Sequence, residues 1–437
     1  MRLLLINSAE PCETMAATNT ITALDPEERL PLISNPRRWA VVWLLFVASM
    51  INYFDRATIS FALPLISKDL NLGPETKGVL LSAFFWSYAL MQIPIGYCAD
   101  RVNLRWLYAG AFALWSISQG LMGLATSLTG LIAFRIVLGI GESIYLPGGT
   151  KIVSLMFKNS ERGLPCGLFD FGTRTGLVIE GVLLPWMLDK LGWRTTFMII
   201  GFTALLWLIP WLAVLPRKLT VPKAAREGGI RVTPLEAIIT LLTNRNLIGI
   251  CLGFFCFDYY WYLLLTWLPN YLIEKRGLGM LKGGFYASLP FLVFGICQPL
   301  GGWFADRLIA KGYDEMRVRK GIVSVAFLTG LFLIPATEVQ SPNFALALLL
   351  FGGVVGLSTA NMLVILQACA PHDKVGLWVG IYNFVGNIAG ILAPLVTGIL
   401  IEKTGSYSTP FMGASLLLIF GIYSFWAIVG KVKRSES

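Results

Sequence analysis

The chain has 437 residues, of which 56% are hydrophobic and only 14% are charged. A soluble protein carries roughly 25% charged residues, so the composition excludes an ordinary soluble enzyme or binding module. The 44 glycines and 14 tryptophans are typical of helical membrane proteins, in which glycine permits close helix packing and tryptophan gathers at the interfaces. The net charge of +10 has three possible explanations: a surface that binds nucleic acid, binding to anionic lipid, or basic residues that set the membrane topology. The positions of the basic residues along the chain decide between them.

Twelve apolar runs follow in chain order, each long enough to cross roughly 30 Å of hydrocarbon at about 20 residues. We number them spans 1 to 12 and predict them at 39–64, 78–98, 105–125, 128–150, 163–188, 195–215, 246–273, 281–304, 319–336, 343–368, 375–400 and 410–430. The predicted domains are a disordered cytoplasmic tail 1–36, a six-helix bundle 37–215, a cytoplasmic linker 216–245, a second six-helix bundle 246–430 and a cytoplasmic tail 431–437.

The basic residues follow the positive-inside rule. With the N-terminus inside, the inner segments hold 24 Lys and Arg and the outer loops hold eight. This bias predicts a multi-pass protein of the cell membrane with both termini in the cytoplasm, and it makes a nucleic-acid partner unexpected. Arg56, Arg135 and Arg174 are the remaining three, and they lie inside spans.

Span 1 carries a polar cluster, Asn52-Tyr53-Phe54-Asp55-Arg56, between apolar flanks. A charge at the bilayer centre costs at least about 2.5–3.5 kcal/mol, so it usually faces a polar interior and marks function. The cluster therefore indicates a binding or coupling site inside the membrane, or else an ion pair between helices.

Span 4 places Arg135 and Glu142 seven residues apart, which is two turns or about 10.5 Å along one helix face. Gly139 lies between them on that face. Two interpretations of Glu142 follow: it gains and loses a proton during turnover, or it only neutralises Arg135.

Further charges lie in spans 5 and 7. Asp170 and Arg174 are spaced i,i+4 and can neutralise each other; alternatively, Arg174 adds a positive contact for a more anionic substrate. Asp258 in span 7 is either an additional protonatable site or a hydrogen-bond acceptor for neighbouring tyrosines.

The sequence repeats itself. Five residues near the end of span 2 recur, at one constant spacing, near the end of span 8. They are Gln92, Gly96, Ala99, Asp100 and Arg101. The matching residues near the end of span 8 are Gln298, Gly302, Ala305, Asp306 and Arg307. This recurrence predicts two parallel six-helix repeats.

On these residues the chain resembles the major facilitator superfamily. Gly96-x-x-Ala99-Asp100-Arg101-x-x-x-Arg105 is similar to the loop 2–3 motif of that superfamily, and Arg135-x-x-x-Gly139-x-Gly141 is similar to its span-4 motif. The resemblance implies an all-α membrane protein whose twelve transmembrane helices form two six-helix repeats around a central cavity.

The motif residues at the ends of spans 2 and 8 form a predicted conformational latch. We expect Gly96 and Gly302 to let spans approach closely, and Asp100 and Asp306 to pair with neighbouring arginines. The latch comprises Gly96, Asp100, Arg101, Arg105, Asp306 and Arg307.

The span-1 cluster resembles the anion:cation symporter branch of the superfamily, which carries sugar acids and other organic anions. The resemblance implies proton coupling at Asp55 and Glu142 and binding of the substrate carboxylate at Arg56. Together with side-chain chemistry, it suggests a substrate site of Tyr53, Arg56, Tyr88, Arg135, Thr173, Arg174, Asn383 and Asn387. Span 5 departs from the branch, since it lacks the Gly-Gln pair common among sugar-acid members.

The predicted function is proton-coupled symport of a small organic anion, a sugar acid or other carboxylate, by alternating access. Protonation of Asp55 and Glu142 frees Arg56 and Arg135 to bind the anion. The alternatives are an anion exchanger or a proton-coupled efflux antiporter of the same fold.

One histidine, His372, and scattered cysteines offer no nucleophile–base set or metal cluster, so we expect no enzyme, cofactor or metal. The expected partners are the anion, protons and the lipid bilayer, and we expect a monomer.

Overall fold

The structure, a computed structural model, describes residues 35–157, 163–217, 219, 234–371 and 375–430. The predicted tails, most of the predicted linker and His372 lie outside these residues. Residues 35 and 36, predicted as tail, already belong to the helix of span 1.

Each predicted apolar run forms a helix within the described residues. Spans 1 to 4 are Asn35–Leu70, Pro74–Arg101, Leu104–Met122 and Leu128–Met156. Spans 5 and 6 form one helical run, Leu164–Val214. Spans 7 to 12 are Arg245–Lys275, Met280–Ala310, Glu315–Glu338, Pro342–Cys369, Val375–Thr404 and Ser408–Ile428, and the short helix Pro234–Thr243 precedes span 7.

The run Leu164–Val214 contains two crossings. Its 51 residues would extend about 76 Å as one straight helix, more than twice the hydrocarbon thickness. Gly192 breaks the run with φ of 71°, a left-handed conformation that glycine adopts without a steric penalty from Cβ. Span 5 therefore ends at this glycine, and span 6 turns back through the bilayer.

The twelve spans divide the molecule into a first half, spans 1 to 6, and a second half, spans 7 to 12. We call the face at which span 1 begins the proximal face and the face at which it ends the distal face. Because the number of spans is even, span 12 also ends at the proximal face. There Arg245 donates to the carbonyl of Ala427, which joins the beginning of span 7 to the end of span 12.

The two halves are closely packed at the distal face. A Cβ on Gly78 of span 2 would lie 2.7 Å from the carbonyl oxygen of Pro394 in span 11. A Cβ on Gly284 of span 8 would lie 2.1 Å from Cγ of Pro185 in span 5. Spans of opposite halves thus meet almost backbone to backbone at this face.

The halves part toward the proximal face. Gly96, Gly167 and Gly380 lie near the proximal ends of spans 2, 5 and 11, and a Cβ on any of them would meet no atom within 4 Å. Leu164, at the proximal end of span 5, is 70% exposed, and Leu90, about three turns before the proximal end of span 2, is 72% exposed. The space between the halves is therefore closed distally and open proximally.

The expected close approach at Gly96 and Gly302 is wrong. Gly96 faces the open proximal side, and a Cβ on Gly302 would make an ordinary 3.6 Å contact with Ala360. The neighbouring Gly301 makes the tight contact instead, because its Cβ would lie 2.0 Å from the carbonyl oxygen of Leu357 in span 10. The repeat identifies the correct region but not the face of the helix.

Candidate functional site

The polar cluster of span 1 is buried in the first half. Asn52 and Asp55 are fully buried and Arg56 is 6% exposed. Two glycines of span 5 allow it to pack closely on span 1. A Cβ on Gly172 would clash with the backbone carbonyl of Phe46, and a Cβ on Gly176 would clash with that of Met50.

Arg56 forms a buried ion pair with Glu142 of span 4. Its Nε lies 2.8 Å from Oε2 of Glu142, which has no exposed surface. Glycines bring span 4 into place: a Cβ on Gly139 would lie 2.4 Å from the carbonyl oxygen of Phe84, and Gly141 packs equally tightly on Trp115. A charge-assisted bond with one partner on each span connects the two predicted site helices directly.

Three aromatic rings surround the guanidinium of Arg56. Its Cζ lies 4.4 Å from the ring centroid of Tyr88, 4.9 Å from that of Phe84 and 5.2 Å from that of Tyr53. Ring faces attract the cation without using its N–H groups, and Nη2 of Arg56 has no hydrogen-bond partner among the described residues. The side chain is thus held in place with a buried donor left for a ligand.

An ion pair between helices, one of the two interpretations of the span-1 cluster, is present, but its acid is Glu142 and not Asp55. Asp55 and Arg56 are adjacent on a helix and therefore point in different directions, and two helical turns separate Arg135 from Glu142. Within the described residues, neither carboxylate oxygen of Asp55 has a hydrogen-bond partner. The Nε and Nη1 atoms of Arg135 are likewise unbonded, and its Nη2 makes one long contact of 3.5 Å with the carbonyl of Leu81.

Arg135 nevertheless belongs to the same buried cluster. It is 2% exposed, and its guanidinium lies 5.0 Å from the ring of Phe84, the ring that also contacts Arg56. Asp55 is within electrostatic range of both Arg135 and Glu142. The structure therefore brings Asp55, Arg56, Arg135 and Glu142 into one core, in which the ring of Phe84 contacts both arginines.

Arg174 reaches from span 5 into the second half. Its Nε donates to Oε1 of Gln298 in span 8 at 3.2 Å, and its guanidinium lies 5.2 Å from the rings of both Trp261 and Phe294. Among the described residues it forms no ion pair with Asp170, so the proposed neutralisation within span 5 is wrong. The prediction omits Gln298 and Trp261 as partners, although Gln298 is part of the recognised repeat.

The remaining predicted contacts are mostly bonded to their own helices. The hydroxyl of Thr173 donates to the carbonyl of Asp170 at 2.7 Å, and Nδ2 of Asn387 donates to the carbonyl of Asn383 at 2.8 Å. Asn387 follows Gly386, on which the carboxylate of Asp258 packs. Asp258 therefore stands at the contact of spans 7 and 11.

Span 7 also contributes to the surroundings of Arg56. The ring of Tyr262 contacts that of Phe85 in span 2 at 4.7 Å between centroids, across the boundary between the halves. Tyr262 is close enough to Arg56 to interact with it electrostatically. The sequence marks Tyr262 only as one of several tyrosines beside Asp258, so its role near Arg56 is missed.

The predicted latch forms no described contact between the halves. Asp306 pairs with Arg319 of span 9 at 3.0 Å, and Arg307 lies over the ring of Trp303 instead of pairing with Asp306. Arg105 donates to the carbonyls of Leu212 in span 6 and of Leu215 just after it, and Arg101 lies over Tyr97. The side chain of Asp100 is outside the described set. With the proximal face open, these groups bond within their own halves.

Two hydroxyl side chains in span 10 are bonded to their own helix. The hydroxyls of Ser358 and Thr359 donate to carbonyls one turn back in their own helix, at 2.7 and 3.0 Å. Across the part of the chain that the structure describes, no group of three His, Cys, Asp or Glu side chains is arranged to hold a metal ion.

Comparisons with known proteins identify the family. The sequence profile described as "Major Facilitator Superfamily" matches residues 45–394 and again 313–437. The probable galactarate/D-glucarate transporter of Bacillus subtilis (strain 168) is 30% identical over 91% of this chain and 93% of its own length. The D-galactonate transporter of Escherichia coli O6:H1 is 32% identical over 91% of this chain and 97% of its own length.

A solved structure confirms the fold. A bacterial homologue of the human lysosomal transporter Spinster, in an inward-facing and unoccupied conformation, superposes with a TM-score of 0.75 at 19% identity. The match covers 91% of this chain and 98% of the other. The family match and the shared fold confirm the predicted architecture of two six-helix repeats. The curated relatives confirm the resemblance to carriers of organic anions, and they are named as transporters and not as enzymes. The chain belongs to the major facilitator superfamily and is a membrane transporter.

Proposed function

We propose that the protein carries a sugar acid, or a closely related small carboxylate, across the cell membrane in symport with protons. The named substrates of its relatives support this class, since galactarate, D-glucarate and D-galactonate are all polyhydroxylated carboxylates. The observation that carries the proposal is the Arg56–Glu142 pair, whose arginine is enclosed by aromatic rings and retains an unbonded Nη2.

The pair couples proton binding to anion binding by competition for one cation. While Glu142 is ionised, its carboxylate occupies Nε of Arg56. A proton on Glu142 removes that negative charge, so a substrate carboxylate can take its place without a second buried anion remaining unpaired. Protonation of Asp55 similarly leaves Arg135 as uncompensated positive charge beside the anion. With both acids protonated, a dicarboxylate neutralises the two arginines and a monocarboxylate leaves one positive charge; the loaded site is then occluded within the bilayer.

In this scheme the substrate and protons leave the protein at the proximal face, where the two halves are apart. We take the proximal face as cytoplasmic, with both termini there, because the basic residues are concentrated on that side. The structure then represents an inward-open state, and rocking of the halves closes the proximal side and opens the distal side. We propose that one chain completes this cycle as a monomer.

Uptake into proteoliposomes tests the proposal. Purified protein is given D-galactonate or D-glucarate outside, with an acidic exterior, and accumulation is followed with and without the pH difference. The Asp55→Asn and Glu142→Gln variants should lose accumulation against a gradient but keep exchange between labelled and unlabelled substrate. Accumulation that stays fully proton-driven in both variants would exclude these carboxylates as coupling sites.

The same vesicles distinguish symport from exchange. An anion exchanger would take up label only when vesicles are preloaded with a counter-anion, whatever the pH difference. A thermal-shift screen of the purified protein against organic acids at two pH values then identifies the preferred anion. Stabilisation by neutral sugars or organic cations, and by no acid, would overturn the assignment to anions.

A further inference from the structure

A third buried carboxylate, Glu180 of span 5, has no part in the mechanism above. It is 1% exposed, and its Oε2 has no hydrogen-bond partner within the described residues. An ionised carboxylate in such a position would be very costly without a partner. Asp55, equally buried and without a bonded partner, is the residue with which Glu180 interacts electrostatically.

The packing register places Glu180 beside Asp55. Gly172 contacts the backbone of span 1 at Phe46, and Gly176 contacts it at Met50, so both helices advance four residues between contacts. One further step along each helix pairs Glu180 with Phe54, the residue directly before Asp55. The two unbonded carboxylates thus lie at one level of neighbouring, parallel spans.

Glu180 also lies directly below the distal closure. The next residue, Gly181, packs so tightly on span 8 that its Cβ would lie 2.0 Å from Cβ of Ser288. One turn further toward the distal face, Gly284 of span 8 contacts both Pro185 and Phe61. Separation of spans 5 and 8 at this closure would expose Glu180 to the distal solution before it exposed Asp55.

The other charged groups near this level are Arg56 of span 1, which is bonded to Glu142, and the two span-4 residues Arg135 and Glu142. Arg135 and Glu142 both interact electrostatically with Asp55. Span 8 presents Ser288, whose hydroxyl is bonded to the carbonyl of Phe285 of its own helix. No cation is therefore bonded to Glu180 among the described residues, and a proton is the simplest means of neutralising it.

We infer that Glu180 is a further proton-binding site of the transport cycle, which takes up a proton from the distal side and passes it to Asp55. This inference rests on the proposed symport and adds to it a site at which the proton enters the protein. Glu180 binds the proton as its carboxylic acid when the distal side is open and passes it to Asp55 while its own carboxylate is still in contact with distal water; a second proton from that side neutralises Glu180 before closure buries it.

Infrared spectroscopy tests the inference without any substrate. A pH jump on purified full-length protein should change the C=O stretching band of protonated carboxyl groups. Glu180→Gln should remove one component of this band, and Glu180→Asp should restore a component at a shifted position. The control, Asp189→Asn, removes an exposed carboxylate at the distal end of the same span and should leave the band unchanged. A Glu180→Gln spectrum identical to that of the wild type would overturn the inference.

Transport then tests the role of the site. One pH unit supplies about 1.4 kcal/mol, or about a tenfold accumulation, for each coupled proton. If Glu180 supplies a coupled proton, Glu180→Gln should lower steady-state accumulation by about tenfold for each unit of pH difference, while counterflow stays near the wild-type rate. Unchanged accumulation in the Glu180→Gln variant would overturn the assignment. So would accumulation that a sodium gradient drives in the wild type but not in this variant. If accumulation by the wild type did not depend on the pH difference, the proposed symport would be refuted instead. The infrared result would still show whether Glu180 binds a proton.

Discussion

Lys77 of span 2 donates to both carboxylate oxygens of Glu274 in span 7, at 2.9 Å each, and so joins the two halves at the distal face. The lysine is 7% exposed. Asn270 and Tyr407 also bond to the glutamate. Burial and the neighbouring Glu274 raise the pKa of Tyr407, which keeps its hydroxyl protonated as a donor. This pair can exist only while the distal side is closed.

Breaking the pair should favour the state that is open at the distal face. Glu274 is 32% exposed, so we expect loss of this charged hydrogen bond to cost about 1.5–3 kcal/mol, and the cost falls only on the closed state. We expect Lys77→Gln to lengthen the distance between spin labels at positions 75 and 403, exposed sites on opposite halves. Glu274→Gln should do the same, and the double variant should shift the distance no further than either single one. An unchanged distance distribution would contradict a locking role.

Arg56→Lys should weaken anion binding although it keeps the charge. Lysine cannot hold Glu142 at one position and offer a separate, oriented donor to a ligand. Loss of a hydrogen bond to a charged group costs about 1.5–3 kcal/mol, so we expect KM to rise by about 10–100-fold. Arg317→Lys, at an exposed position of span 9, is the control and should leave KM unchanged. The measurement is initial uptake over a range of substrate concentrations, and an equal effect of both substitutions would refute the prediction.

A side chain at Gly78 should act as a wedge between spans 2 and 11. Its first carbon would already lie 2.7 Å from the carbonyl of Pro394, with no flexible side chain there to move away. Gly78→Leu should therefore prevent distal closure, stop net uptake and give long distances between the same spin labels. Gly110→Leu introduces the same side chain where no atom lies within 4 Å, and it should transport normally. Closure of the Gly78→Leu variant would show that the backbone contact is dispensable.

A side chain at Gly201 should destabilise the fold itself. This glycine joins spans 6 and 3 within the first half, and its Cβ would lie 2.1 Å from the backbone nitrogen of Gly120. Forced overpacking costs typically 1–3 kcal/mol or more, so Gly201→Val should lower the apparent Tm in detergent. Gly413→Val, where no atom lies within 4 Å, should leave it unchanged. Equal Tm values for the two variants would contradict the packing argument.

The sequence predicts the spans well because apolar length is a local property. Span 1 is longer than its predicted 39–64 at both ends, since hydropathy detects the part in hydrocarbon whereas the helix continues to Leu70 through the polar residues Lys68 and Asp69. The break at Gly192 also has a local cause, a glycine in a left-handed conformation.

The ion pairs are not predicted because they depend on helix orientation. Arg56 lies next to Asp55 in sequence, but helical geometry turns it toward Glu142, 86 residues away. Asp306 likewise binds Arg319 instead of its neighbour Arg307. A single sequence shows which charges lie inside the membrane but not which neighbouring span each faces. The grouping of Asp55, Arg56, Arg135 and Glu142 could be predicted, while their bonds could not.

The rings around Arg56 bear on how the protein would discriminate among anions. An anion that reaches Nη2 must give up much of its water, because the faces of Tyr53, Phe84 and Tyr88 offer little hydrogen bonding in return. Phosphate and sulfate hold their hydration shells strongly and find few hydrogen-bond donors among these rings to replace the lost water. A sugar acid brings hydroxyl groups that can replace lost water along its chain. We therefore expect dehydration, more than charge or size, to exclude inorganic anions from the site.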